Sequence, residues 1–203
     1  AHLRRSSPRG RVASRAAAPC PSPRRFAVIG GGPAGLSAAY QLARRGHAVT
    51  IFEGERALGG VLRTGIPSYR LPRDVLDKEL GDVLALGVEV RSGRFLTRDD
   101  VARLANEHDG LILATGLQEL RALDVPGAGL AGVEQGIRFL HRVNLEGGVA
   151  LEGHVVVLGG GNTAIDCARS ALRIGAARVT IAYRRTRAEM PAIPEEVDEA
   201  VHE

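Results

Sequence analysis

With 203 residues, 44% of them hydrophobic and 25% charged, the chain is long enough for one or two soluble domains with a real core. No apolar run approaches eighteen residues, which excludes a membrane-spanning helix, and 3% aromatics with no Trp argue against a base-stacking nucleic-acid surface. The net charge of +4 averages unlike parts: residues 1–25 carry seven Arg and no acid, whereas 26–203 carry 20 basic and 23 acidic groups, so the body offers no basic nucleic-acid face.

Residues 1–25 are rich in Arg, Ser, Ala and Pro and lack periodicity, so a disordered basic segment is expected there. It reads as a linker from an upstream domain, with an organelle-type leader as the alternative. The first residue is not Met, and the chain closes at Glu203 in a helix-like run, so a piece of a longer polypeptide is expected. Cys20 and Cys167 make neither a disulfide framework nor a CxxC pair nor an iron–sulfur ligand set; they suggest a cytosolic, cytoplasmic protein, with Cys167 in the core.

From Phe26 the texture becomes α/β. Phe26–Ile29 reads as a buried strand, Pro33–Arg45 as a helix with Pro in its first turn, and Ala48–Glu53 as a second strand. Arg73–Leu86 is an amphipathic helix, followed by strands near Val88–Val90 and Leu111–Ala114, then a helical stretch at Ile137–Arg142 broken by Gly147 and Gly148. The opening pattern then returns: strand Val155–Leu158, a Gly run, helix Thr163–Ile174 and strand Val179–Tyr183. VIGGGPAGLSAAYQLARRGHAVTIFE and VLGGGNTAIDCARSALRIGAARVTIAYRR form an internal βαβ repeat, which implies doubly wound parallel sheets. The expected organisation is a dinucleotide-binding segment at 26–150 and the start of a second at 151–203.

The two repeats carry different fingerprints. Gly30-x-Gly32-x-x-Gly35, with Pro33 and Ala34 between, combines a tight turn, a bare backbone facing a pyrophosphate, and close helix–strand packing. Glu53 ends the next strand, where a carboxylate would accept from ribose hydroxyls and repel a 2′-phosphate, so FAD or NAD is expected; a solvated strand end is the plain alternative. Gly159-x-Gly161-x-x-Ala164 includes Gly160, Asn162 and Thr163, and its second strand is followed by Arg184 and Arg185 instead of an acid. Two guanidiniums suit a 2′-phosphate, which points to NADPH; a solvated charged face is the alternative.

Further motifs are Gly59-Gly60 before Val61, GIPSYRLP at 65–72, ATG at 114–116, LGGGNTAIDCARSALRIGA at 158–176 and YRRTRAEMPAIPEEVDEA at 183–200. With these, residues 26–203 resemble the FAD- and NADPH-binding region of the glutamate synthase small chain and its relatives, including that of dihydropyrimidine dehydrogenase. The resemblance implies hydride transfer from NADPH to FAD, with electrons leaving through iron–sulfur clusters of a partner domain or subunit. It implies that Glu53–Val61 and Arg70 line FAD, with Thr115 and Gly116 near it. Gly160–Thr163 would meet the NADPH phosphates, and Arg184 and Arg185 the 2′-phosphate. Arg70 has a surface ion pair as its alternative. No acid–base residue is expected, because positioning of the two rings carries hydride transfer. A non-catalytic nucleotide-binding fragment and another flavoenzyme with two Rossmann units are the rival readings.

Overall fold

The computed structural model describes residues 20–117, 119–120, 123–147 and 150–203. Short runs of Ala, Val, Ile and Phe that must be covered on both faces form the strands, as parallel sheets require. β1 (Arg25–Ile29), β2 (Ala48–Phe52), β3 (Glu89–Arg91) and β4 (Gly110–Leu113) lie in the order β3-β2-β1-β4. All pairings are parallel, with Val28 opposite both Ile51 and Ile112. Ala27, Val28 and Ile51 are fully buried. Burying a side chain the size of Ile51 is worth about 1.5–3 kcal/mol.

α1 (Pro33–Arg44) begins with Pro in the first turn, where its fixed φ suits the helix and its missing N–H has no partner to lose. Gly35, Leu36, Ala39 and Ala43 form its buried stripe, which packs on β1, β2 and β4. α3 (Arg73–Leu84) follows a short helix, α2 (Val61–Thr64). α4 (Arg98–Glu107) is not among the elements expected from the sequence, because it is polar overall, with Val101 and Leu104 its only large apolar residues. A capping box at Thr97 and Asp100 starts this helix. Leu104 then buries against Ala27, Ile29 and Phe52.

A second sheet pairs β5 (His154–Leu158) with β6 (Arg178–Ala182) in parallel, Val156 opposite Thr180. They are joined through α6 (Asn162–Arg173), which also packs on α5 (Gly136–Leu145) and α7 (Pro194–His202). Ile165, Ala192 and Val197 form a core there with Ile181 and Met190.

The chain gathers into two compact units, one from the chain up to Leu58 with Asp77–Gly116, the other from Gly59–Leu76 with Leu117–Glu203. Compactness therefore divides the chain differently from the segments 26–150 and 151–203, because Gly59–Leu76 and Leu117–Glu203 fall in one unit. The first strand opens at Arg25, one residue earlier than expected, and the Arg25 N–H donates to Asp109 Oδ2 at 2.7 Å. Of the basic leader, Cys20–Arg24 are described, and the Arg24 N–H donates to His47 Nδ1 at 3.3 Å; residues 1–19 lie outside the described residues. Other boundaries shift by one to three residues: β2 ends at Phe52, α1 at Arg44 and α3 at Leu84, and α6 opens at Asn162. Among the described residues, no helix is long and apolar enough to cross a membrane.

Candidate functional site

In an open parallel sheet, ligands sit outside the carboxyl ends of the strands, where the strand order reverses. In the first unit that point lies between β1 and β4. Gly30 follows β1 with φ +104°, and a Cβ there would lie 2.2 Å from the Ala114 carbonyl oxygen that follows β4. Only glycine fits on both counts. Gly35 is equally constrained, since its Cβ would lie 1.8 Å from the Gly30 carbonyl oxygen. Gly32 is the N-cap of α1 and offers no side chain to it, so the first-turn N–H groups stay open to an anion. Pro33 and Ala34 occupy that first turn. Thr115 and Gly116 lie just past β4, with Gly116 at φ +74°.

Glu53 comes one residue after β2 and is buried, the whole residue 9% exposed. One oxygen accepts from the Gly31 N–H at 2.6 Å and the other from the Glu55 N–H at 2.8 Å. The acid therefore holds the glycine turn to the loop after β2, which is more than the solvated strand end sequence alone allowed for.

The second unit repeats this plan. The Gly159 N–H donates to the Ala182 carbonyl at 3.0 Å, as the Gly30 N–H donates to that of Phe52 at 2.8 Å. Gly159 has φ +138°. Gly161 is the N-cap of α6, and an added Cβ there would have no neighbour within 4 Å. Gly160 is needed for another reason: a Cβ would lie 2.7 Å from the Tyr183 ring. Its carbonyl accepts from the Ala192 N–H at 3.1 Å, and Asn162 Oδ1 accepts from the Ile193 N–H at 2.9 Å. The segment before α7 thus clamps the glycine turn, a role for Asn162 that motif spacing does not reveal. Thr163 is exposed in the first turn of α6, and Ala164 is buried against the strand end.

Arg184 and Arg185 follow β6 and are exposed, and among the described residues neither makes a hydrogen bond or an ion pair. The turn after them is braced by a second capping box, Thr186 with Glu189. Hydrogen bonds from the Thr186 N–H and hydroxyl hold the Glu189 carboxyl below its usual range.

Arg70 is engaged otherwise. Its guanidinium donates to Asp166 Oδ2 on α6 at 2.7 Å and to Glu196 on α7. The ion-pair alternative describes its contacts, and the pair is half-buried instead of lying on the surface. Burial pushes the Asp166 carboxyl above its ordinary value, against the pull of Arg70. Arg169 and Arg173 sit over the Tyr69 ring, 4.8 and 4.2 Å from its centroid. Arg169 also pairs with Glu199 at 2.8 Å and Glu203 at 2.6 Å. Burial, reinforced by Asp166, pushes the Tyr69 hydroxyl up to about 12. GIPSYRLP and PEEVDEA thus meet in one charged layer around α6. Gly59 and Gly60 belong to this same unit, ahead of Val61 in α2, with φ +121° and +51°.

A cavity of about 420 Å³ lies among Arg25, Ala48, Thr50, Glu89, Arg91 and His108. It sits at the amino ends of β1 and β2, away from the glycine turn. Cys167 is buried, its thiol donates to the Gly136 carbonyl at 3.4 Å, and burial pushes it up to about 12. It is a core residue.

The family pattern of the pyridine nucleotide-disulphide oxidoreductases matches residues 24–203. The chain is 51% identical over 186 residues to the NADP(+)-dependent formate dehydrogenase subunit beta of Moorella thermoacetica, covering 88% of this chain and 26% of that one. It is 36% identical over 189 residues to the glutamate synthase [NADPH] small chain of Azospirillum brasilense, covering 87% of this chain and 39% of that one. The resemblance carried by the motifs is therefore upheld. A solved structure of Mycobacterium tuberculosis FprA in complex with NADPH shares the fold, with TM-score 0.71 at 21% identity, over 89% of this chain and 48% of that one. The chain spans between about a quarter and two fifths of the length of these two curated relatives.

Proposed function

The chain belongs to the pyridine nucleotide-disulphide oxidoreductase family, and from that premise we propose that it binds FAD at its first glycine turn and NADPH at its second. The activity is an NADPH-dependent flavin oxidoreductase of the glutamate synthase small-chain type. Bound at the first turn, FAD would supply a hydride acceptor for NADPH and a one-electron donor toward an iron–sulfur domain or subunit. The turns fit such groups: at Gly30 and Gly35 a Cβ would strike the protein's own backbone oxygens at 2.2 and 1.8 Å, so glycine is what lets each close turn form, and the space beside Gly161 is open.

The single observation that carries the reading is the contrast behind the two second strands. After β2 stands Glu53, buried on the glycine turn; after β6 stand Arg184 and Arg185, exposed and, among the described residues, unpaired. A carboxylate there rejects a 2′-phosphate, and two exposed guanidiniums attract one through charge-assisted bonds. Gly30–Gly35 and the Glu53-held loop bind the pyrophosphate and ribose of FAD. Asn162 holds the second turn ready for the NADPH pyrophosphate, Gly161 leaves it room, and Thr163 lies beside it. Arg70, through Asp166 and Glu196, positions the segment carrying Gly59, Gly60 and Val61.

Kinetics with an artificial acceptor test this reading. Arg184→Ala with Arg185→Ala is expected to lower kcat/KM for NADPH at least tenfold and to leave NADH within about twofold; two lost charged hydrogen bonds at about 1.5–3 kcal/mol each allow more. An unchanged NADPH preference, or a purified protein that retains no flavin, would overturn it.

A further inference from the structure

Phe95 is a large apolar ring held in solvent on a braced turn. It is 73% exposed, yet the turn that carries it is held at several points. The Gly93 N–H donates to the Glu55 carbonyl at 2.9 Å. Arg94 donates to both oxygens of Asp100 at 2.8 and 2.9 Å. Asp100 also accepts from the Thr97 N–H and hydroxyl, at 3.0 and 2.9 Å. Leu96 is packed into the core beneath α4. The next residue back is thus fixed outward on a rigid turn.

Its neighbour is equally telling. Phe95 lies on Gly54, where a Cβ would be 2.5 Å from the ring. Gly54 directly follows Glu53, whose carboxylate caps the first glycine turn. The ring is therefore presented at the carboxyl end of the sheet, on the loop after β2, one residue from the acid that marks the ribose position.

We infer that Phe95 is the stacking platform for the adenine of the dinucleotide bound at the first glycine turn. The inference rests on the proposal that this turn holds FAD. A phenyl ring suits the task. It offers a π face to a base, has few rotamers to freeze, and pays little desolvation when covered. Glycine at 54 lets ring and backbone form one surface, which no other residue there would permit.

The test is flavin affinity of the intact apoprotein, followed by quenching of flavin fluorescence, for Phe95→Ala, Phe95→Leu and Phe95→Trp. Leu keeps apolar volume without the π face, and circular dichroism with thermal melting reports whether each variant is folded. FAD affinity is expected to fall about tenfold or more in the Ala and Leu variants and to be kept in Trp, the range that base–aromatic stacking spans. FMN, which lacks adenosine, is expected to bind all four proteins equally. FAD affinity unchanged in folded Ala and Leu variants overturns the inference and leaves the FAD assignment standing. An equal loss for FMN assigns the ring a structural role and also overturns it. A wild-type protein that holds no FAD overturns the underlying reading, and this one with it.

Discussion

Gly161→Ala separates a nucleotide-binding glycine from a structural one. Gly161 has φ −92° and ψ 173°, which alanine adopts without strain, and an added methyl would meet nothing within 4 Å. At the N-cap, alanine is worse than glycine by some tenths of a kcal/mol to about 1 kcal/mol. Restricting the unfolded chain returns about 0.4–1 kcal/mol. These offset, so the melting temperature should move by no more than about 2–4 °C. In the complex the methyl would point into space a pyrophosphate needs to approach the α6 N–H groups. Overfilling a close contact costs about 1–3 kcal/mol, a loss of about 5- to 150-fold in NADPH affinity. Isothermal titration with NADPH and with 2′-AMP reads this out, since 2′-AMP needs the arginines and not the turn. Selective loss of NADPH affinity in a folded protein supports the assignment. NADPH affinity within twofold of wild type would refute it.

Gly35→Ala should behave oppositely. Its methyl would lie 1.8 Å from the Gly30 carbonyl oxygen, so α1 must move off β1, and urea unfolding should report about 3 kcal/mol of lost stability whether or not nucleotide is present. Asp100 offers a pH test. The Thr97 N–H, then its hydroxyl, lower its carboxyl from 3.8 to about 2. Its contribution to stability is full above about 4, where the unfolded carboxylate is already ionised, and is lost as pH falls through about 2. Carboxyl NMR should place its titration near 2, and a midpoint near 4 would remove the capping role. Native protein at pH 8 should resist alkylation at Cys167, whose thiol burial pushes up to about 12, and react there only after unfolding. Rapid labelling of Cys167 in the folded state, seen by mass spectrometry, would contradict its burial.

Much of the architecture is a local property of the chain. β1, α1 and β2, and again β5, α6 and β6, were legible because strand periodicity, Pro at a first helical turn and glycines at strand ends act within a few residues. The glycine fingerprints were legible for the same reason: a positive φ at Gly30 and Gly159 is a backbone demand that glycine alone meets cheaply. α4 escaped because the helix is polar overall: a capping box starts it, and Leu104 is its one fully buried apolar side chain.

What each charged side chain does was decided elsewhere. Position after the second strands marked Glu53, Arg184 and Arg185 as candidates, and the family resemblance added Arg70. Tertiary packing put Glu53 on the Gly31 and Glu55 amides, tied Arg70 to Asp166 and Glu196 across 96 and 126 residues of chain, and left Arg184 and Arg185 exposed. Asn162 turned toward Ile193, and Phe95 came to rest on Gly54. Backbone form follows from each residue's own sterics and its near neighbours, so sequence determines it. The partner of a charge follows from which distant groups share its desolvated space, and only the folded chain brings those groups together.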